Sequence, residues 1–134
     1  KEHRARTVLA LALLHDNGVC GADGDKAGME ILRKAGLFDE SAQWIPYWRS
    51  AQTVTAAQPG LLITAYRLEA GKRLTLAIVN PGPTDLQSDI VVPGFAGGKA
   101  LDDESGAAVS DGGKTIPALV VKRHDFRLLT LESK

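Results

Sequence analysis

The apolar residues of this chain change their spacing near residue 50, and that change constrains the fold more than any other feature. Upstream, "ARTVLALALLHD" is built from strong helix formers, and "DKAGMEILRKAG" sets Ile31, Leu32 and Ala35 along one side of a second helix, with Asp25 as its N-cap and Gly36 as its stop. Downstream, "LLITAYRLE" and "KRLTLAIVN" flank a hairpin-length connection at Ala70-Gly71. There Leu74, Leu76 and Ile78 alternate with Arg73, Thr75 and Ala77, the pattern of a half-buried strand. "LQSDIVV", "KTIPALVVK" and "DFRLLTLE" read as further strands, and "KALDDESGAAVS" as a hairpin around Ser105-Gly106. About six to eight short strands at this spacing predict a mainly β fold, an antiparallel β-sandwich over residues 50–134 preceded by a helical segment over residues 1–49.

The 134 residues suffice for one domain with a real core. Lysine plus arginine equal aspartate plus glutamate at 16 each, so no net field gathers nucleic acid or an anionic membrane. Val8 to Leu14, the longest apolar run, is far short of the ~20 residues that span a bilayer. Glu2 and the shortness of that run argue against a signal peptide. A lone cysteine, Cys20, forms no internal disulfide and assigns no compartment. The first helix is apolar around nearly its whole circumference, with Val8, Leu9, Leu11, Leu13 and Leu14 in successive directions, and such a helix expects burial on all sides. A sandwich covers one side. Self-association of the isolated chain through residues 1–16 is therefore expected, and the start at Lys1 without a methionine points to a piece of a longer protein.

Four of the seven aromatic side chains, Phe38, Trp44, Tyr47 and Trp48, crowd the junction between the two patterns. Trp44, Ile45 and Trp48 have the spacing of one side of a short helical turn, with Pro46 at its start. Taken in order, "ARTVLALALLHD", "LFDESAQWIPYWR", "VTAAQPGLLITAYRLEAGKRLTLAIVNPG", "ALDDESGAAV" and "VVKRHDFRLLTL" resemble the C-terminal part of large bacterial glycoside hydrolase-like proteins, in particular those similar to glycoside hydrolase family 123. The resemblance implies a (β/α)-barrel catalytic domain followed by an accessory sandwich. Residues 1 to about 18 would be the last helix of that barrel, and the rest of the barrel would be the partner of this chain. It implies no catalytic residue, metal or cofactor here, because the family's catalytic carboxylates lie in the barrel. A secreted or periplasmic parent agrees with it. Trp44, Tyr47 and Trp48 are then expected to pack the seam between barrel and sandwich. The alternatives are a sugar-stacking platform in an independent carbohydrate-binding module and a general protein-interaction sandwich.

Other groups invite chemistry and have plainer readings. His15, Asp16 and Cys20 have the residue types of an activated nucleophile, yet a small cysteine in a glycine-rich turn is the simpler expectation. Asp23, Asp25 and Gly28 match the first, third and sixth positions of a calcium loop. Ala27 and Lys34 stand where the fifth and twelfth ligands belong, so the loop fails as an EF-hand. Asp102, Asp103 and Glu104 offer carboxylates for acid/base hydrolysis, and the expected role is a solvated hairpin whose charges discourage edge pairing. "KRHD", Lys122 to Asp125, reads as a polar turn, and "GFAGGK" lacks the ending of a phosphate loop.

Overall fold

A computed structural model of the chain describes residues 2–16, 26–95, 98–110 and 112–133. Two helices, α1 (Glu2–Leu14) and α2 (Lys26–Lys34), precede nine strands among these residues. They are β1 (Gln43–Ile45), β2 (Thr55–Ala56), β3 (Leu62–Leu68), β4 (Arg73–Asn80), β5 (Leu86–Val91), β6 (Lys99–Asp102), β7 (Ala108–Ser110), β8 (Thr115–Val121) and β9 (Asp125–Glu132). All the strand pairs are antiparallel. One sheet has the order β1-β3-β4-β9-β6-β7 and the other β2-β5-β8. The mainly β sandwich read from the sequence is the observed fold. No helix among the described residues is long and apolar enough to cross a membrane.

The larger sheet is buried on both faces, and here the sequence expectation needs correction. On β4, Leu74, Leu76 and Ile78 enter the core between the sheets, where they meet Ile90, Ile116, Val121 and Leu129. The intervening Thr75, Ala77 and Val79 are equally buried, because α1 and α2 cover the other face. Alternation in β4 therefore separates two cores rather than core from water. The helix side of the sheet offers Ala77, Val79, Phe126 and Leu128 to Leu9, Leu13 and Leu14 of α1 and Leu32 of α2. Small Ala77 in the centre leaves room for a helix to lie close.

Each helix is tied down by polar contacts as well as packing. Arg6 of α1 donates to Asp125 at 2.7 Å and to Glu104 at 2.9 Å, and its guanidinium lies 4.7 Å from the centre of the Phe126 ring. A cation over an aromatic face, held by two carboxylates, fixes α1 against β9 and the β6–β7 turn. At the far end of α2, Gly36 takes φ +82°. The N–H of Leu37 reaches Leu32 O at 3.1 Å and that of Gly36 reaches Arg33 O at 3.1 Å, the closure of a Schellman turn. Thr75 and Arg73 of β4 both donate to Ala35 O, at 3.2 and 3.3 Å, so the helix end is satisfied by the sheet beneath it.

The sheet also begins earlier than residue 50. Gln43–Ile45 pairs with β3, Trp44 opposite Tyr66, so residues 43–45 are a strand and not part of a helical turn. A turn follows the strand, where Arg49 N donates to Pro46 O at 2.8 Å. Ala77→Leu tests whether α1 and the sheet share one core. Overpacking of this kind costs ~1 to 3 kcal/mol, and urea melts should show that loss together with a weakened helical signal. An unchanged midpoint would mean that α1 rides loosely on the sheet.

Candidate functional site

The aromatic cluster forms where β1 hands over to the turn that follows it. Trp44 sits on the helix-covered face of the sheet, opposite Tyr66, while Pro46 is buried and the turn swings Tyr47 and Trp48 round to meet it. Trp44 and Trp48 meet edge to face at 5.6 Å between centroids and 90°. Tyr47 and Trp48 do so at 5.1 Å and 86°, and Tyr47 meets His15 of α1 at 6.1 Å and 85°. Edge-to-face pairs of this kind favour the ring quadrupoles and fix orientation. Trp44 and Tyr47 are half-buried, against β3 and the end of α1 respectively, while Trp48 is 55% exposed. The Nε1 of Trp44 is buried without a hydrogen-bond partner.

Beneath the cluster, the Tyr66 hydroxyl lies 3.3 Å from Asp16 Oδ1 and 3.4 Å from Leu13 O, a clasp on the last turn of α1. Burial first, and then the facing Asp16 carboxylate, push the Tyr66 hydroxyl well above its ordinary range, so it stays a neutral donor. His15 places Nδ1 3.0 Å from Leu11 O. His15 and Asp16 are thus engaged with Tyr47 and Tyr66, and Cys20 lies outside the described residues. Asp23 and Asp25 also lie outside them, and Gly28 falls within α2 instead of in a metal loop. No group of three or more histidine, cysteine, aspartate or glutamate side chains among the described residues could hold a metal ion.

The carboxylate run is structural, and the expectation of a solvated hairpin fails for its first member. Asp102 is 4% exposed. Its Oδ1 accepts from the N–H of Ser105 at 2.8 Å and of Glu104 at 3.1 Å, and from the Ser105 hydroxyl at 3.0 Å, while Oδ2 accepts from Arg127 at 2.8 Å. Burial works to raise its pKa, but the Ser105 N–H and the Arg127 guanidinium outweigh it and hold the carboxyl below the usual range. Asp103 points to the opposite face, where the Thr130 hydroxyl lies 2.8 Å from each of its oxygens. Glu104 pairs with Arg6. In "KRHD" the Asp125 carboxylate also holds Arg6, and His124 O accepts from the Thr7 hydroxyl at 2.9 Å. This turn docks α1 instead of binding an anion.

Clefts among the described residues are shallow. One, about 240 Å³, runs from Tyr47 past Val54 and Gln58 to Leu62; another, about 170 Å³, lies between Thr53, Arg67 and Phe95. Neither is lined by a carboxylate, histidine or cysteine, and both are smaller than the ~300 Å³ at which ligand pockets usually begin. Arg6 and Arg127 were not singled out by sequence reasoning. A signal existed for Arg6, which shares the buried side of α1 with Leu9, Ala10 and Leu13 at helical spacing and therefore needs carboxylate partners there.

No family model matches the sequence, and no curated protein matches it. Solved structures do. An Anoxybacillus α-amylase, described as representing a new glycosyl hydrolase subclass, aligns with a TM-score of 0.62 at 12% identity, over 99% of this chain and 33% of its own. A Bacillus halodurans C-125 protein provisionally assigned as an α-N-acetylgalactosaminidase aligns with a TM-score of 0.59 at 10% identity, over 96% of this chain and 31% of its own. The chain thus spans about a third of the length of these glycoside hydrolase structures and shares the fold of that third.

Asp103 gives the site region a measurable pH dependence. Burial, with a further contribution from the Asp102 charge, raises its carboxyl from 3.8 to about 6, against the Thr130 hydrogen bond and the Arg73 charge. Because the folded state holds this proton more tightly than the unfolded chain, its contribution to stability is complete below pH ~4 and disappears as pH rises through ~6. Asp103→Asn should gain ~1 kcal/mol over the wild type at pH 7.5, after allowance for solvent screening, and nothing at pH 4. Wild type and variant with equal denaturation midpoints at both pH values would show that the surroundings do not raise the Asp103 carboxyl.

Proposed function

We propose that the chain is a non-catalytic accessory domain of a glycoside hydrolase-like protein of the family 123 kind, packing against and stabilising a preceding (β/α) barrel. In this reading residues 1–49 carry the end of the barrel and the aromatic connector, with β1 of the connector already paired into the larger sheet, and residues 50–134 are the body of the sandwich; α1, the barrel's last helix, is packed on that sheet by one side and turns its outer side to the rest of the barrel. The observation that carries it is the coverage of the two hydrolase folds, nearly all of this chain against a third of each of theirs. The carboxylates supply a second support. Glycoside hydrolysis needs an acid and a nucleophile or base facing one sugar across ~5 to 9.5 Å, whereas Asp102, Asp103 and Glu104 are each taken up by a partner of the fold, Arg127, Thr130 and Arg6. The purified chain is accordingly expected not to turn over aryl glycosides. Hydrolysis above a blank that is lost on replacing Asp103 or Glu104 would refute this.

One observation favours a second reading, an independent carbohydrate-binding module: Trp48 is 55% exposed yet fixed in orientation by Trp44 and Tyr47. A flat exposed ring of this kind stacks on the apolar face of a sugar. On the accessory-domain reading, titration with oligosaccharides leaves the tryptophan fluorescence of the chain unchanged. Saturable quenching that Trp48→Ala abolishes would favour the module.

A further inference from the structure

The outer side of α1 and the aromatic cluster form one continuous surface. Arg4, Val8, Leu11 and His15 follow one another at helical spacings of three and four residues, away from the buried Leu9, Leu13 and Leu14. Val8 and Leu11 are each 48% exposed. At the last turn the His15 ring meets Tyr47, Tyr47 meets Trp48, and Trp48 meets Trp44, so the helix stripe runs without interruption into the aromatic rings. From Val8 to His15 the helix rises about 10 Å at ~1.5 Å per residue, and the Tyr47 and Trp48 rings follow at centroid steps of 6.1 and 5.1 Å. Arg4 precedes Val8 on the stripe, and Arg49 follows Trp48 in the chain. Arg4 and Arg49 are exposed, and neither forms an ion pair among the described residues, unlike Arg6, Arg33, Arg73 and Arg127.

We infer that the stripe Val8, Leu11, His15, Tyr47 and Trp48 is the docking surface for the preceding domain of the same polypeptide, and that the matching surface is an apolar ridge with carboxylates at its edges. This rests on the accessory-domain reading and names the contact that reading requires. The opposite side of α1 is already spent on the sheet, so the stripe is the side left for a neighbour. Any polypeptide N-terminal to α1 emerges at the Arg4 end, beside the start of the stripe. Arg4 and Arg49, which make no ion pair among the described residues, favour a partner with acidic edges over another copy of this surface, which would present the same arginines.

Hydroxyl-radical footprinting of the longer parent polypeptide, read by mass spectrometry at Leu11 and Trp48 and compared with the isolated chain at low concentration, tests the inference. Modification at both positions should fall severalfold in the parent, and Val8→Glu with Leu11→Glu, at positions already half-exposed, should restore it at Trp48. Equal modification in the two proteins overturns the docking surface. Protection in the isolated chain that grows with its concentration, with no further gain in the parent, assigns the surface to a second copy and overturns it too. So does protection that only added oligosaccharide provides. Aryl-glycosidase activity of the parent is read separately. An active parent with fully modified Trp48 defeats the docking surface alone, and an inactive parent with protected Trp48 supports the docking surface while counting against the glycosidase reading.

Discussion

A six-stranded sheet that is apolar on both faces needs two covers, and the remaining architecture follows from this requirement. β4 and β9 lie at its centre, and their buried residues alternate between the two sides: Leu76, Ile78 and Leu129 toward the small sheet, Ala77, Val79, Phe126 and Leu128 toward the helices. The three-stranded sheet is too narrow to cover more than one face. α1 and α2 therefore complete the sandwich as a third layer, and removing them would expose an apolar face on the sheet, a standing invitation to aggregation.

Polar groups at the helix-facing side serve that docking. Arg6 reaches over Phe126 to two carboxylates from different turns, Asp125 and Glu104, so the β6–β7 turn and the start of β9 both hold α1. Asp102 in turn shapes the turn that presents Glu104, by accepting the N–H groups of Glu104 and Ser105. Charges that look available for hydrolysis in the sequence are thus consumed in positioning a helix. The same packing leaves Val8, Leu11 and Trp48 exposed, together with Phe38 and Val120 elsewhere on the surface.

Much of this was legible in the sequence. Period-two spacing located β3, β4, β5, β8 and β9, and Gly36 marked the end of α2 through the positive φ that it adopts. What escaped reading has a common cause. Thr75 and Ala77 look like the solvent side of a strand because small and hydroxyl-bearing residues suit both water and a close helix contact; only the tertiary partner decides. Gln43–Ile45 is too short for alternation to register, and the i, i+4 spacing of Trp44 and Trp48 imitates a helix although a strand followed by a turn brings the rings together. The aromatic cluster was visible as a composition anomaly. Its division into two half-buried rings and one exposed ring depends on where α1 ends, which no local pattern encodes.

The central claim is that α1, α2 and the larger sheet form one folding unit. Native-state hydrogen exchange across a denaturant series measures it directly, because each amide reports the free energy of the opening that exposes it. The account predicts that the most protected amides of α1 merge with those of β4 and β9 in a single global opening. Exchange of α1 at distinctly lower free energy, with β4 and β9 still protected, would mean that the sheet stands without its helical cover, and would contradict the account.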